Sequence, residues 1–274
     1  VLAKNDDDDD DDDDEEGEEG EEGGGDDEGE RKGPSVSMGW FEDCYALNCD
    51  IWRWQKIETY QTPDAKPTAR AAHGSCALPP TAQPESGAAR PAMLVFGGRA
   101  AAGRTNDTWV LETKGAGSGG DGGGGAYRWM KPEVSGQSPS ARSFHSVACL
   151  ASPANHTVAA VFGGLDSSAN HLNDLHLLSV RDWSWMAVTH LKNAPSPRGC
   201  ALLIPAGGTT HDSLLLFGGS SGWSDLGATT FHNDTYRLPL KNALEAIDAA
   251  LLAPMPAAAQ AADAPAAAEV AAGA

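Results

Sequence analysis

The sequence predicts an all-β chain built from repeated four-stranded sheets, a β-propeller, on three observations. A hydrophobic run ends in Phe-Gly-Gly three times: at 94–98, closing on Gly97 and Gly98; at 160–164, closing on Gly163 and Gly164; and at 215–219, closing on Gly218 and Gly219. Each run is preceded by a Pro and an Arg and followed by Asn-Asp. The spacing holds, with 56 residues from Arg142 to Arg198 and 55 from Gly163 to Gly218. A landmark recurring at a fixed period marks one supersecondary unit used again and again.

Each unit opens on Pro and Arg, at Pro67 to Arg70, Pro139 to Arg142 and Pro197-Arg198. A short strand is expected next, over 73–78, 145–150 and 199–204. The run into Gly-Gly is the second strand, because four to six apolar residues between turn residues read as a buried strand. Gly-Gly lets the chain turn with φ > 0 and lets a neighbouring backbone come close. Asn-Asp at 106–107, 173–174 and 233–234 is expected to open a third strand, since these side chains bond their own turn. A Trp on the fourth strand, Trp129 or Trp185, is expected to fill the wedge between blades. Asp43 to Trp54 and Asp174 to Trp185 both span 11 residues. The span from Asp107 to Trp129 is 22, lengthened by the glycine-rich stretch 115–125. The spacing therefore makes 43–54 the outer half of one more unit and predicts two, four, four and three strands, about thirteen in all.

Three stretches are expected in the 274 residues: an acidic tract over 1–37, blades over 38–240, and a short helix with an Ala/Pro-rich tail over 241–274. Residues 1–30 hold nineteen of the 39 acids and a single base, so nearly all of the formal charge of −20 belongs to this tract. Such a block repels itself and is expected to stay disordered. The offset of Leu244, Ile247 and Leu251 predicts a helix near 243–252, with Asn242 and Glu245 as a capping box. The five Cys contain no CxxC pair, which suits a reducing compartment, the cytoplasm or else the nucleus. No apolar run reaches membrane-spanning length and no signal peptide is visible.

The pattern of apolar run, Gly-Gly, then an aromatic and a Trp at set spacing resembles the kelch repeat. Tyr45 to Trp54 meets the aromatic-to-Trp spacing, and His176 to Trp185 meets it with His in the aromatic place. The resemblance covers about residues 42–240. The last unit has Tyr236 but no closing Trp, and the first has no Gly-Gly strand. With fewer blades than a kelch ring needs, and no initial Met, the chain is expected to be an incomplete propeller, an arc of a larger one or one that a second chain completes. The acidic tract is then a tail or an insertion in the loop before Asp43.

The resemblance implies a protein–protein scaffold or adaptor without catalysis. Its partner-binding loops are expected to follow each Gly-Gly, at Arg99 and Arg104, at Asp166, Asn170 and His171, and at Ser220, Ser221, Trp223 and Asp225. Repetition points to a structural role for Arg70, Arg142 and Arg198, for the six glycines and for Trp54, Trp129 and Trp185. A buried guanidinium needs a partner, and Asp107, Asp174 and Asp234 recur at a matching place. His73 and His145 share a repeat position, and His171, His211 and His232 show no ligand spacing, so no metal or other cofactor is expected. Galactose-oxidase-like enzymes share the architecture but hold copper through Tyr and His. Tyr45, Tyr60, Tyr127 and Tyr236 do not form that cluster, and no hydrolase, P-loop or zinc-protease motif occurs. The polyanion over 6–30 supports a second reading, a binder or chaperone of basic proteins, and argues against nucleic acid as partner.

Overall fold

The structure is a computed structural model and describes residues 39–59, 66–79, 92–113, 127–189, 193–207, 212–222 and 229–252. The acidic tract, the glycine-rich stretch and the Ala/Pro-rich tail lie outside the described residues. Blade 1 is the hairpin β1 (Cys44–Asn48) and β2 (Arg53–Ile57). Blade 2 contains β3 (Arg70–Ala71), β4 (Gly74–Leu78), β5 (Ala92–Ala100), β6 (Gly103–Thr113) and β7 (Tyr127–Met130). After the connecting β8 (Ser135–Gly136), blade 3 follows with β9 (Arg142–Ser143), β10 (Ser146–Ala151), β11 (Thr157–Asp166), β12 (His171–Ser179) and β13 (Ser184–Ala187). Blade 4 has β14 (Leu202–Ala206), β15 (Ser213–Phe217), β16 (Ser220–Ser221), β17 (Thr230–Phe231) and β18 (Thr235–Pro239), and the chain then enters α1 (Lys241–Leu252).

The principal strands number two, four, four and three, as the landmark spacing predicts, in an incomplete kelch-type propeller. Within each sheet they are antiparallel neighbours in chain order: β4-β5-β6-β7, β10-β11-β12-β13 and β14-β15-β18. The three Phe-Gly-Gly runs take the same place, on the second strand. Phe96 lies opposite Gly74 and Thr108, Phe162 opposite Ser146 and Leu175, and Phe217 opposite Leu202 and Thr235.

Five two-residue strands were not legible, because they depend on how the long strands bend. β5 and β11 do not stop at Gly-Gly. Their register against β6 and β12 shifts there, a bulge, and pairing then resumes to Ala100 and to Leu165. The far ends of these strands pair with β3 and β9 rather than with β4 and β10. The third strands likewise start ahead of Asn-Asp, at Gly103 in β6 and His171 in β12; only β18 begins just after it.

The core lies between sheets. β11 is buried along nearly its whole length and divides its side chains between two neighbours, which is why it reads as a continuous apolar run. Ala159 and Val161 pack with Leu94, Phe96 and Val110 of blade 2. Val158, Ala160 and Phe162 pack with Leu203, Leu214 and Leu216 of blade 4. Backbone bonds add a second seam. Ala72, Phe144 and Cys200, each two residues past the repeat Arg, all have positive φ. Phe144 donates its N–H to the Ala72 carbonyl, and Cys200 donates to the Phe144 carbonyl, at 2.9 and 2.8 Å. The shared left-handed turn directs each carbonyl towards the next blade.

α1 starts earlier than its periodicity suggests. Lys241 is its first residue, so Asn242 lies inside the helix and no capping box forms with Glu245. The Leu240 carbonyl accepts the Leu244 N–H instead. Leu244 and Ile247 bury against blades 3 and 4, and Asp248 is tied to the turn after β10.

Candidate functional site

The repeat arginines lie beneath the turns that follow Gly-Gly. Arg142 is fully buried; it donates to both Asp174 carboxylate oxygens at 2.7 and 2.8 Å, to the Gly163 carbonyl, and to the Ser140 carbonyl and hydroxyl. Arg70 makes the same set with Asp107, Gly97 and Thr68, and Arg198 with Asp234, Gly218 and Ser196. Burial alone would raise the Asp107 carboxyl, but hydrogen bonds from Arg70 and Trp109 outweigh it and hold the group at about 2. Burial is likewise overcome at Asp174 by Arg142 and His176, which keep it far below the usual carboxylate range.

The Ser/Thr two residues before each Arg belongs to this device and was missed. The signal was present: the landmark is Pro-Ser/Thr-x-Arg in all three copies once the third is aligned on Pro195 rather than Pro197. The structure supports that alignment, because the Asn173 amide donates to the Pro195 carbonyl just as Asn106 donates to Pro139. Asn-Asp thus has two tasks, with Asp holding its own blade's arginine and Asn reaching the next blade.

The glycines permit the same junction. Gly163 has φ +63°, and a Cβ there would lie 2.6 Å from the Arg198 carbonyl oxygen of blade 4. Trp185 packs on Phe96 of blade 2, and Trp129 is buried against Trp109. Trp54 differs: it is 65% exposed on β2, because no sheet among the described residues covers that side of blade 1.

The expected loops are built differently from one another. Arg99 and Arg104 are not loop residues. They form a cross-strand pair on the extended β5–β6 hairpin, whose turn is only 101–102. Arg99 is exposed, while Arg104 donates to the Ser143 hydroxyl of blade 3 at 2.8 Å. Asp166 and Asn170 close a tight turn on each other, the Asp166 carboxylate accepting from the Ser168 and Asn170 N–H groups and the Asn170 amide. The Asn170 hydrogen bonds hold Asp166 below its ordinary pKa. His171 is in β12, half-buried, its pKa lowered by burial and by the nearby charge of His232. Ser220 is buried in β16, where its N–H and carbonyl pair with Gly199, and the Ser221 hydroxyl meets His232 at 3.0 Å. Trp223 and Asp225 lie outside the described residues.

The β5–β6 turn, the β11–β12 turn and the β16–β17 pair all follow Gly-Gly in the repeat, and Arg99 and Phe231 are exposed on them. Phe231, 81% exposed beside Ser220 on the β16–β17 hairpin, escaped the sequence reading because it precedes Asn-Asp on what looked like the way into a buried strand. An exposed aromatic and an arginine on well-held hairpins suit a protein surface. His73 and His145, each just before a first strand, differ from such groups. His145 is buried, with Nε2 3.1 Å from both the Gly74 nitrogen and the Phe96 carbonyl oxygen. Burial, with the charge of Arg142, pushes its pKa down to about 3. Among the described residues no three His, Cys, Asp or Glu side chains converge as metal ligands, and no helix is long and apolar enough to cross a membrane.

The zebrafish Rab9 effector protein with kelch motifs is 25% identical over 75% of this chain and 50% of its own length. Its human counterpart is 30% identical over 47% and 30%, and dynein regulatory complex subunit 7 of Chlamydomonas reinhardtii is 29% identical over 46% and 10%. The chain thus spans half or less of the length of these relatives. Residues 125–262, half of the chain, match the KLHDC2/KLHL20/DRC7 Kelch-repeats domain. With its three Arg–Asp ties and three Phe-Gly-Gly strands in equivalent places, the chain belongs to the kelch-repeat family.

Proposed function

We propose that this chain is a protein-interaction scaffold that holds a partner on the surface of the β5–β6 turn, the β11–β12 turn and the β16–β17 pair, without chemistry of its own. The observation that carries this reading is the pairing of rigid support with free ends. Arg104 to Ser143, Asp166 to Asn170 and Ser221 to His232 tie these segments down, while Arg99 and Phe231 are exposed on them. Ordered support means little conformational entropy is lost on docking. Relatives named as an effector of Rab9 and as a subunit of the dynein regulatory complex support a protein as the class of partner.

Quantitative affinity capture tests it, comparing the intact chain, an Arg99→Glu/Phe231→Ser variant and a chain lacking 1–38. Partners lost from the double variant and retained by the shortened chain support the proposal. Loss of all partners with residues 1–38, and retention by the double variant, would replace it with the polyanion as binder of basic proteins.

A further inference from the structure

The first strands of blades 2 and 3, β4 and β10, lie side by side, and their contacts advance in step. The Ala72 carbonyl accepts the Phe144 N–H. Two residues on, Gly74 lies against Val147 and His145 with no room for a Cβ. Side chains return to the same face of a strand every second residue. The next pair in this series is Cys76 and Cys149, and the Cys76 thiol donates a hydrogen bond to the Cys149 sulfur. Both are free thiols, both are half-buried, and both pack against the core shared by blades 2 and 3. The repeat itself does not call for sulfur at these positions. Counted from Phe-Gly-Gly, the matching residues at the junction of blades 3 and 4 are Ala148 and Pro205.

We propose that Cys76 and Cys149 are a redox-active dithiol that a hydroperoxide closes into a disulfide between blades 2 and 3. Cys149 is the attacking sulfur. The hydrogen bond from Cys76 outweighs burial and lowers the Cys149 pKa, helped by the Leu150 N–H, while the same bond and burial raise Cys76. Burial raises Cys44 and Cys200 too. The Cys149 thiolate attacks one peroxide oxygen. An S–O bond forms as the O–O bond breaks, and the other oxygen leaves with a proton as water or an alcohol. Cys76 then attacks the Cys149 sulfur. The S–S bond forms, the S–O bond breaks, and the hydroxyl leaves with the Cys76 proton as water. Two thiols are oxidised and one hydroperoxide is reduced. Sulfurs already in hydrogen-bond contact need only a small approach to reach the roughly 2.05 Å of an S–S bond. Both thiols keep some exposed surface, which a small hydroperoxide needs. The bridge ties the two blades together across 73 residues of chain, from 76 to 149.

The test is hydrogen peroxide added to the intact, reduced chain under native conditions, followed by non-reducing peptide mapping with mass spectrometry. A peptide holding Cys76 joined to one holding Cys149 is expected, about 2 Da lighter than the two apart, and dithiothreitol should separate them. Cys76→Ser should leave Cys149 as a sulfenic acid, labelled by dimedone at least about fivefold more than in the unsubstituted chain. Cys149→Ser should slow oxidation of Cys76 by about fivefold or more. A Cys44→Ser/Cys49→Ser/Cys200→Ser variant should form the bridge at an unchanged rate. Both thiols still open to iodoacetamide after peroxide, bridges shared at random among the five cysteines, or equally fast oxidation of Cys76 in Cys149→Ser would each overturn the proposal.

Discussion

Trp185 on the fourth strand of blade 3 packs against Phe96 on the second strand of blade 2, with ring centroids 5.1 Å apart and planes tilted by 56°. The contact states the logic of the whole chain, because each sheet covers the Phe of the one before. Phe96 and Phe162 are sealed by it, whereas Phe217, the same residue of blade 4, is 52% exposed. Trp54, the counterpart of Trp185, is exposed at the opposite end for the same reason.

Identical substitutions should therefore have unequal effects. Phe96→Ala removes a fully buried ring and is expected to cost about 3–5 kcal/mol. Phe217→Ala should cost at most about 1 kcal/mol, as at a surface position. Urea denaturation of the two variants measures the difference, and equal losses would mean that Phe217 is covered in solution.

Arg142→Met should be severe. It leaves the Gly163 carbonyl and Asp174 without their donor inside a packed junction, at a cost of roughly 2–4 kcal/mol. Asp174→Asn should cost less, about 1–2 kcal/mol, because the amide oxygen still accepts from the guanidinium. Comparing the two denaturation midpoints gives the order; the reverse order would show that the carboxylate, not the arginine, anchors the junction.

His145 should make stability depend on pH on the acid side of neutrality. Its folded pKa of about 3 lies below the ordinary value of 6.5, so the unfolded chain takes the proton first. Its contribution is complete above pH 6.5 and shrinks as pH falls from there towards 3. Between pH 7 and pH 5 the native chain should lose about 2 kcal/mol more than a His145→Ala variant, which carries the residue found at Ala201 in blade 4. Parallel pH dependence in the two would refute this assignment.

Asp248 should act as the latch of α1. It accepts from the Ser152 hydroxyl at 2.6 Å, the Ala154 N–H at 2.9 Å and His156 Nδ1 at 2.9 Å, all on the turn after β10. Asp248→Ala is expected to cost roughly 2–3 kcal/mol and to speed hydrogen exchange across Lys241–Leu252, with β11 and β12 unaffected. Unchanged exchange in α1 would mean that Leu244 and Ile247 alone hold the helix.

The architecture was legible because it recurs. Phe-Gly-Gly, Asn-Asp and Trp recurring in the same order placed thirteen principal strands in four blades, and a repeated pattern survives an insertion or a lost landmark. The candidate binding surface was less legible. Arg99 and Arg104 read as loop residues because Gly-Gly looks like a strand end, whereas the bulge only bends β5 and lets pairing resume. Asp166 and Asn170 read as free polar groups, but each is the other's partner. Phe231 was overlooked, since nothing local separates an exposed Phe from a buried one.

By itself the sequence determined the repeat, its register and the residue types at each junction, since these follow from backbone preference and the alternation of apolar positions within a single unit. Only the tertiary structure decided which copy of a repeated residue is covered and which carbonyl each arginine and asparagine reaches. Those outcomes depend on the neighbouring sheet, and a neighbour brought in from tens of residues away leaves no mark on local sequence.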